Sequence, residues 1–104
     1  MSTLLIEDPL FRRHVMPEGH PERPARLEAI EQVLAQEHFA ALKREKAVRA
    51  DSSVAALAHT PAYVERICAT VPGDTFHFFD ADTPMSDESI EVALHAVGSA
   101  LRAV

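Results

Sequence analysis

Apolar and polar positions along this chain change period from block to block. Thr3 to Glu7 is a short apolar run closed by Asp8-Pro9, and it predicts a buried strand. Leu10 to Pro24 reads as a long loop, because Pro17, Pro21 and Pro24 exclude a regular helix and hold the residues before them extended. From Ala25 a helical period sets in. Leu27, Ile30, Val33 and Leu34 share one face, while Glu28, Glu31 and Gln32 turn outward. Pro24 suits the first turn of that helix, which is expected to end near Gln36. Phe39 to Lys43 gives a further short turn, and Lys46 to Arg49 a small second strand.

Asp51 or Ser52 is expected to cap a short helix through His59. Thr60-Pro61 then starts another, threonine as cap and proline at the first position. Tyr63, Val64, Ile67, Cys68 and Val71 form its buried side, and Pro72-Gly73-Asp74 ends it with turn chemistry. Phe76 to Thr83 follows as an aromatic and acidic loop. Ser86 is the expected cap of a last helix, with Asp87 and Glu88 in the first turn, where the helix dipole favours negative charge. Ile90, Leu94, Val97, Leu101 and Val104 make an apolar stripe along it. No glycine, asparagine or proline closes that stripe, so the chain reads as part of a longer one.

Composition narrows the classes. The 104 residues fit a single domain, 47% hydrophobic and 25% charged, which is the balance of a folded chain rather than a disordered one. A net charge of −6 argues against nucleic acid as a partner, since phosphate binding needs clustered Lys and Arg. Cys68 is the single cysteine, so no internal disulfide can form, and a reducing, cytoplasmic setting is expected. The first nine residues carry neither the basic stretch of a signal peptide nor the length of a membrane span, so no membrane partner is expected.

Candidate chemistry is sparse. The six histidines, at 14, 20, 38, 59, 77 and 95, form no adjacent pair and no i, i+4 pair, so no metal site is expected in the chain itself. Asp80 and Asp82 supply too few oxygens for a hard cation. Cys68 lies among Ile67 and Val71 and reads as an inert core thiol. Phosphate-cradling glycine loops and serine-nucleophile elbows are missing, and no catalytic residue is assigned. The Phe76-His77-Phe78-Phe79 run has two readings: aromatics anchoring a loop to the core, or a pocket rim made acidic by Asp80 and Asp82. Arg23 and Arg26 either pair with Glu22, Glu28 or Glu31 on the surface, or take a defined partner at the junction of loop and helix.

Three segments together resemble the zinc-dependent histone deacetylase and acetylpolyamine amidohydrolase superfamily, and most of all its bacterial branch. They are Gly19-His20-Pro21-Glu22-Arg23-Pro24-Ala25-Arg26-Leu27, then Ala58-His59-Thr60-Pro61-Ala62-Tyr63-Val64, then Phe79-Asp80-Ala81-Asp82-Thr83-Pro84-Met85-Ser86 before an alanine-rich helix with Gly98. The resemblance implies an α/β fold: a helix-rich N-terminal fragment of the arginase/deacetylase-type three-layer architecture, with one or two short strands. Residues 1–104 would then be a single incomplete domain.

The family reaction is hydrolysis of acetyl-lysine or acetylpolyamine amides. A zinc held by two aspartates and a histidine activates water, a histidine pair handles protons, and a tyrosine stabilises the oxyanion. In the family those groups lie beyond the matched segments, so no zinc ligand and no catalytic residue carries over to this chain. What carries over is a substrate rim. His20 and Pro21 match the loop lining the pocket, and Arg26 matches the arginine bordering the family's internal channel. Asp87 and Glu88 fall where relatives place a substrate-orienting polar residue, although relatives often have proline and glycine there.

Three functions compete. The chain is an N-terminal segment of a zinc-dependent deacylase, inactive alone, its acetylated amine substrate bound only by a complete enzyme. Alternatively it is a non-catalytic oligomerisation or binding module, self-associating through the last helix at Ile90, Leu94, Val97, Leu101 and Val104. Or a second chain complements it and restores activity.

Overall fold

A computed structural model describes the whole chain, Met1–Val104. Its first unit is a strand, a helix and a parallel strand: β1 (Leu4–Ile6), α1 (Pro24–Leu34) and β2 (Lys43–Glu45). The pairing runs Leu4 to Lys43, Leu5 to Arg44 and Ile6 to Glu45. Parallel neighbours require a long crossover, and α1 supplies it. Pro24 opens α1 at the position where a missing N–H costs nothing. Within the expected loop a 3-10 turn forms at Pro9–Arg13, capped by the Asp8 carboxylate, which accepts the Leu10 N–H at 3.0 Å.

The second strand is displaced from its expected place. Residues 46–49, with Ala47 and Val48 at their centre, form no strand, and the polar triplet Lys43-Arg44-Glu45 pairs with β1 instead. Ion pairs explain the preference: Arg44 reaches Glu7 at 2.7 Å, and Glu45 accepts from Nη2 and Nε of Arg102 at 2.7 and 2.9 Å. Residues 46–49 instead lead into the packing against the last helix, where the Ala50 N–H donates to the Leu94 carbonyl at 3.1 Å.

Asp51 caps a 3-10 turn at Ser52–Leu57, and its side chain accepts the Ser53 N–H at 2.9 Å. Thr60 caps α2 (Pro61–Ala69) through the Tyr63 N–H at 3.2 Å, as the Thr-Pro pair predicts. The face expected to be buried on α2 is largely open. Only Val64 and Ile67 are half-buried, while Tyr63, Val71 and Cys68 are exposed. The core-thiol reading of Cys68 is therefore corrected: α2 packs on the turn at residues 52–57 and leaves the cysteine uncovered.

Residues 76–83 are more than a loop. His77–Phe78 (β3) and Pro84–Met85 (β4) form a short antiparallel hairpin, tightened by the Phe79 N–H donating to the Thr83 carbonyl at 3.0 Å. Pro84 and Met85 of β4, and Ser86 after it, are buried. The last helix, α3 (Ser89–Ala103), starts three residues after the expected cap. Asp87 and Glu88 thus lie in the preceding turn rather than in the first helical turn, and Glu88 makes no capping bond.

The molecule is a slab, 42 × 33 × 18 Å, with a radius of gyration of 15.4 Å. A compact chain of this length would have about 13 Å. Only eight of the 104 residues are buried, among them Ala50, Met85, Val92 and Leu94. The core is thin and gathers along α3, where it meets the Ala50 segment, β1 and the 3-10 turns at Pro9–Arg13 and Ser52–Leu57. Gly98 is essential there, because a β-carbon on it would stand 2.8 Å from the Val48 carbonyl carbon and 3.1 Å from the Ala50 nitrogen.

Candidate substrate-rim site

Two loops meet at the head of α3. The proline-punctuated loop runs from His14 to Arg23, ahead of α1, and the second spans the hairpin turn and the approach to α3. Gly19 takes φ +83, a left-handed value that lets the first loop reverse just before His20. His20 is the junction. Its Nδ1 accepts the Glu22 N–H at 3.1 Å, so its proton sits on Nε2, which donates to Asp82 Oδ1 at 3.0 Å. The imidazole side chain is 15% exposed and the carboxylate 88%, so a largely covered ring anchors an open acid.

Asp80 shapes the second loop. Its Oδ1 accepts the Thr83 hydroxyl at 2.7 Å and the Asp82 N–H at 2.8 Å. Those two bonds, the hydroxyl's first, hold its carboxyl below the usual carboxylate range. The charge is thereby kept at the loop's turn, and Asp82 is turned toward His20.

A further contact lies deeper. His14 Nδ1 stands 2.6 Å from the Ser89 hydroxyl, and the ring's Nε2 lies 3.6 Å from Glu22 Oε1. Ser89 in turn receives the Ser86 N–H at 2.9 Å, and its hydroxyl lies 2.9 Å from that of Ser86. Ser86 was the expected helix cap; its hydroxyl instead accepts the Val15 N–H at 3.3 Å, and binds the first loop rather than a helical N–H. Acid, imidazole and serine in a row suggest a hydrolytic triad, but the geometry rules against a nucleophile. Ser89 is buried, and both its lone pairs are engaged when its own proton points to His14.

His14, Glu22, Arg23, Arg26 and Val92 line a cleft of about 210 Å3 between the first loop and α3. Of the rim residues read from sequence, His20 joins the second loop and Arg26 lines this cleft. Pro21 is exposed beside them. Asp87 and Glu88 are exposed in the turn before α3, outside the cleft lining; Glu88 faces Arg13 at 3.8 Å. Neither Arg23 nor Arg26 forms an ion pair. Glu22 and Glu31 are engaged by His14 and Arg12, at 3.6 and 3.5 Å. The aromatic run divides by strand alternation, Phe76 meeting Phe78 at 6.5 Å and His77 meeting Phe79 at 4.7 Å, with Phe78 and Phe79 exposed. His14 and Ser89 were not legible as partners, since 75 residues separate them and neither sits in a recognisable pattern.

No three His, Cys, Asp or Glu side chains converge as a set that could hold a metal ion, so these residues do not fit a zinc site. A separate apolar groove of about 270 Å3 runs between α2 and α3, with Tyr63, Ile67 and Cys68 on one wall and Ile90, Leu94 and Val97 on the other. No helix is long and apolar enough to cross a membrane.

Strand, crossover helix and paired loops define a deacetylase-type α/β fragment. The histone deacetylase domain model matches residues 20–104, and the chain belongs to that family. Among solved structures, the crystal structure of the HDA15 HD domain is similar, with a TM-score of 0.79 and 25% identity. That match covers 93% of this chain and 29% of the HDA15 chain. No curated protein matches.

Proposed function

We propose that this chain supplies the substrate-rim segment of a zinc-dependent deacylase of the bacterial deacetylase and acetylpolyamine amidohydrolase branch, acting on acetyl-lysine or acetylpolyamine amides. In this reading His20, Pro21 and Arg26 border the substrate path, Asp87 and Glu88 sit at its outer edge, and the 104 residues alone do not turn over substrate. The carrying observation is the His20–Asp82 bond at 3.0 Å, which joins two loops inside the matched family region. The donor set supports inactivity, since a metal-activated water needs ligands that these side chains do not assemble. No step is therefore routed through zinc here. The zinc, the proton-handling histidines and the oxyanion-stabilising tyrosine belong to the complete enzyme, from this coding sequence or from a second chain.

The alternative reading, a non-catalytic oligomerisation module, draws on the groove between α2 and α3 and on Leu101 and Val104, which are 55% and 111% exposed. Ile90, Leu94 and Val97 would then form one wall of the contact. The experiment offers an acetyl-lysine peptide and an N-acetylated polyamine to the purified chain with one equivalent of zinc, and weighs it by sedimentation at micromolar concentration. The rim reading expects no release of acetate. Turnover abolished by a chelator would overturn it, and a stable dimer would favour the alternative.

A further inference from the structure

The contacts among Val15, Ser86, Ser89 and His14 have a direction. Ser86 and Ser89 are both buried, at 6% and 8% exposure, so every hydroxyl proton there needs an acceptor within the protein. Suppose the imidazole carried its proton on Nδ1 and donated to Ser89. The Ser89 hydroxyl would then donate to Ser86, whose lone pairs would be filled by that bond and by the Val15 N–H. The Ser86 proton would be left with nothing to bind.

The opposite direction satisfies every group. Val15 N–H donates to Ser86, the Ser86 hydroxyl donates to Ser89, and the Ser89 hydroxyl donates to His14 Nδ1 at 2.6 Å. The Ser86 N–H fills the remaining lone pair of Ser89. The ring proton then sits on Nε2, the side that faces Glu22 Oε1 at 3.6 Å.

We propose that His14, Ser86 and Ser89 form a positioning clasp, a directed hydroxyl-to-imidazole chain that ties the first rim loop to the head of α3 and turns His14 toward Glu22 at the cleft. None of the three touches substrate; they act through the loop. The proposal deepens the rim reading and takes its functional meaning from it. Its geometry stands separately, because the clasp exists whether or not the loop borders a substrate path.

The test is nitrogen-15 NMR of the chain at neutral pH, with the His14 signals assigned by their loss in His14→Asn. The clasp requires an unprotonated Nδ1 on His14, and a Ser89 hydroxyl proton in slow exchange correlated with it. A protonated Nδ1 overturns the proposal. Ser89→Ala is then expected to speed exchange of the Val15 amide roughly tenfold, the factor that loss of one buried hydrogen bond supplies. Ser89→Thr, which restores the hydroxyl, is expected to return exchange to near the original rate. Unchanged exchange in a folded Ser89→Ala would also overturn the clasp. Neither readout depends on deacylase activity, so the clasp and the rim reading fail separately.

Discussion

His20 and Asp82 are 62 residues apart in sequence and meet across a 3.0 Å hydrogen bond, with His20 also accepting the Glu22 N–H. The two partners contribute unequally. Removing the Asp82 carboxylate loses one exposed acceptor, whereas removing the imidazole breaks both the bridge and the local turn. His20→Ala is expected to cost about 1 kcal/mol and Asp82→Ala less, with a coupling of about 0.5 kcal/mol between them. Urea unfolding of both single variants and the double variant measures this. Equal losses with no coupling would show that the bridge contributes nothing.

Asp80 and Asp51 make stability depend on acid. Hydrogen bonds from Thr83 and from the Asp82 N–H depress the Asp80 carboxyl, and the Ser53 backbone and side chain do the same for Asp51, both from an ordinary value of 3.8. A carboxyl depressed in the folded state adds stability that is complete above its unfolded value and is lost as pH falls through the folded one. Unfolding followed by circular dichroism should therefore show stability declining below pH 3.8. Asp80→Asn is expected to weaken that decline. An acid response unchanged in Asp80→Asn would contradict this account.

Gly98 is a point of close backbone packing, where α3 crosses Val48 and Ala50. Alanine there would drive its β-carbon into the Val48 carbonyl, backbone against backbone, with no flexible side chain to yield. Gly98→Ala is expected to destabilise by about 1–3 kcal/mol despite alanine's better helix propensity. Thermal unfolding provides the check, and a stabilised variant would mean that α3 does not sit against the Val48–Ala50 backbone.

At α2, Thr60→Ala should cost about 1 kcal/mol, because the Tyr63 N–H loses its side-chain acceptor. Cys68 is exposed, so alkylation in the native state should proceed close to its rate in the unfolded chain. A thiol protected until unfolding would restore the buried reading.

Local chemistry was legible wherever a residue acts on its near neighbours. Thr60-Pro61 and Pro24 mark helix starts because cap and first position are set within one turn. Tertiary partners account for what the sequence concealed. Lys43-Arg44-Glu45 carries no apolar alternation, and becomes a strand only through β1 and distant ion pairs. Ser86 has the chemistry of a cap, but its hydroxyl is taken by Val15 from elsewhere in the fold and by the Ser89 hydroxyl rather than by a helical N–H. Cys68 sits on a periodic apolar face, yet periodicity reports which residues share a side and not whether anything covers it. The rim loops follow the same rule. The His-Pro-Glu-Arg-Pro segment was recognisable, whereas its ties to Asp82 and Ser89 exist only in the folded chain.

In the proposed reading rim and metal centre are separable, with the rim loops in this chain and the metal ligands in the rest of a complete enzyme. Equilibrium dialysis of the 104-residue chain against zinc tests it most directly. The account expects zinc well below one equivalent per chain, displaced by weak competitors. One tightly held zinc per chain, retained through gel filtration, would contradict it.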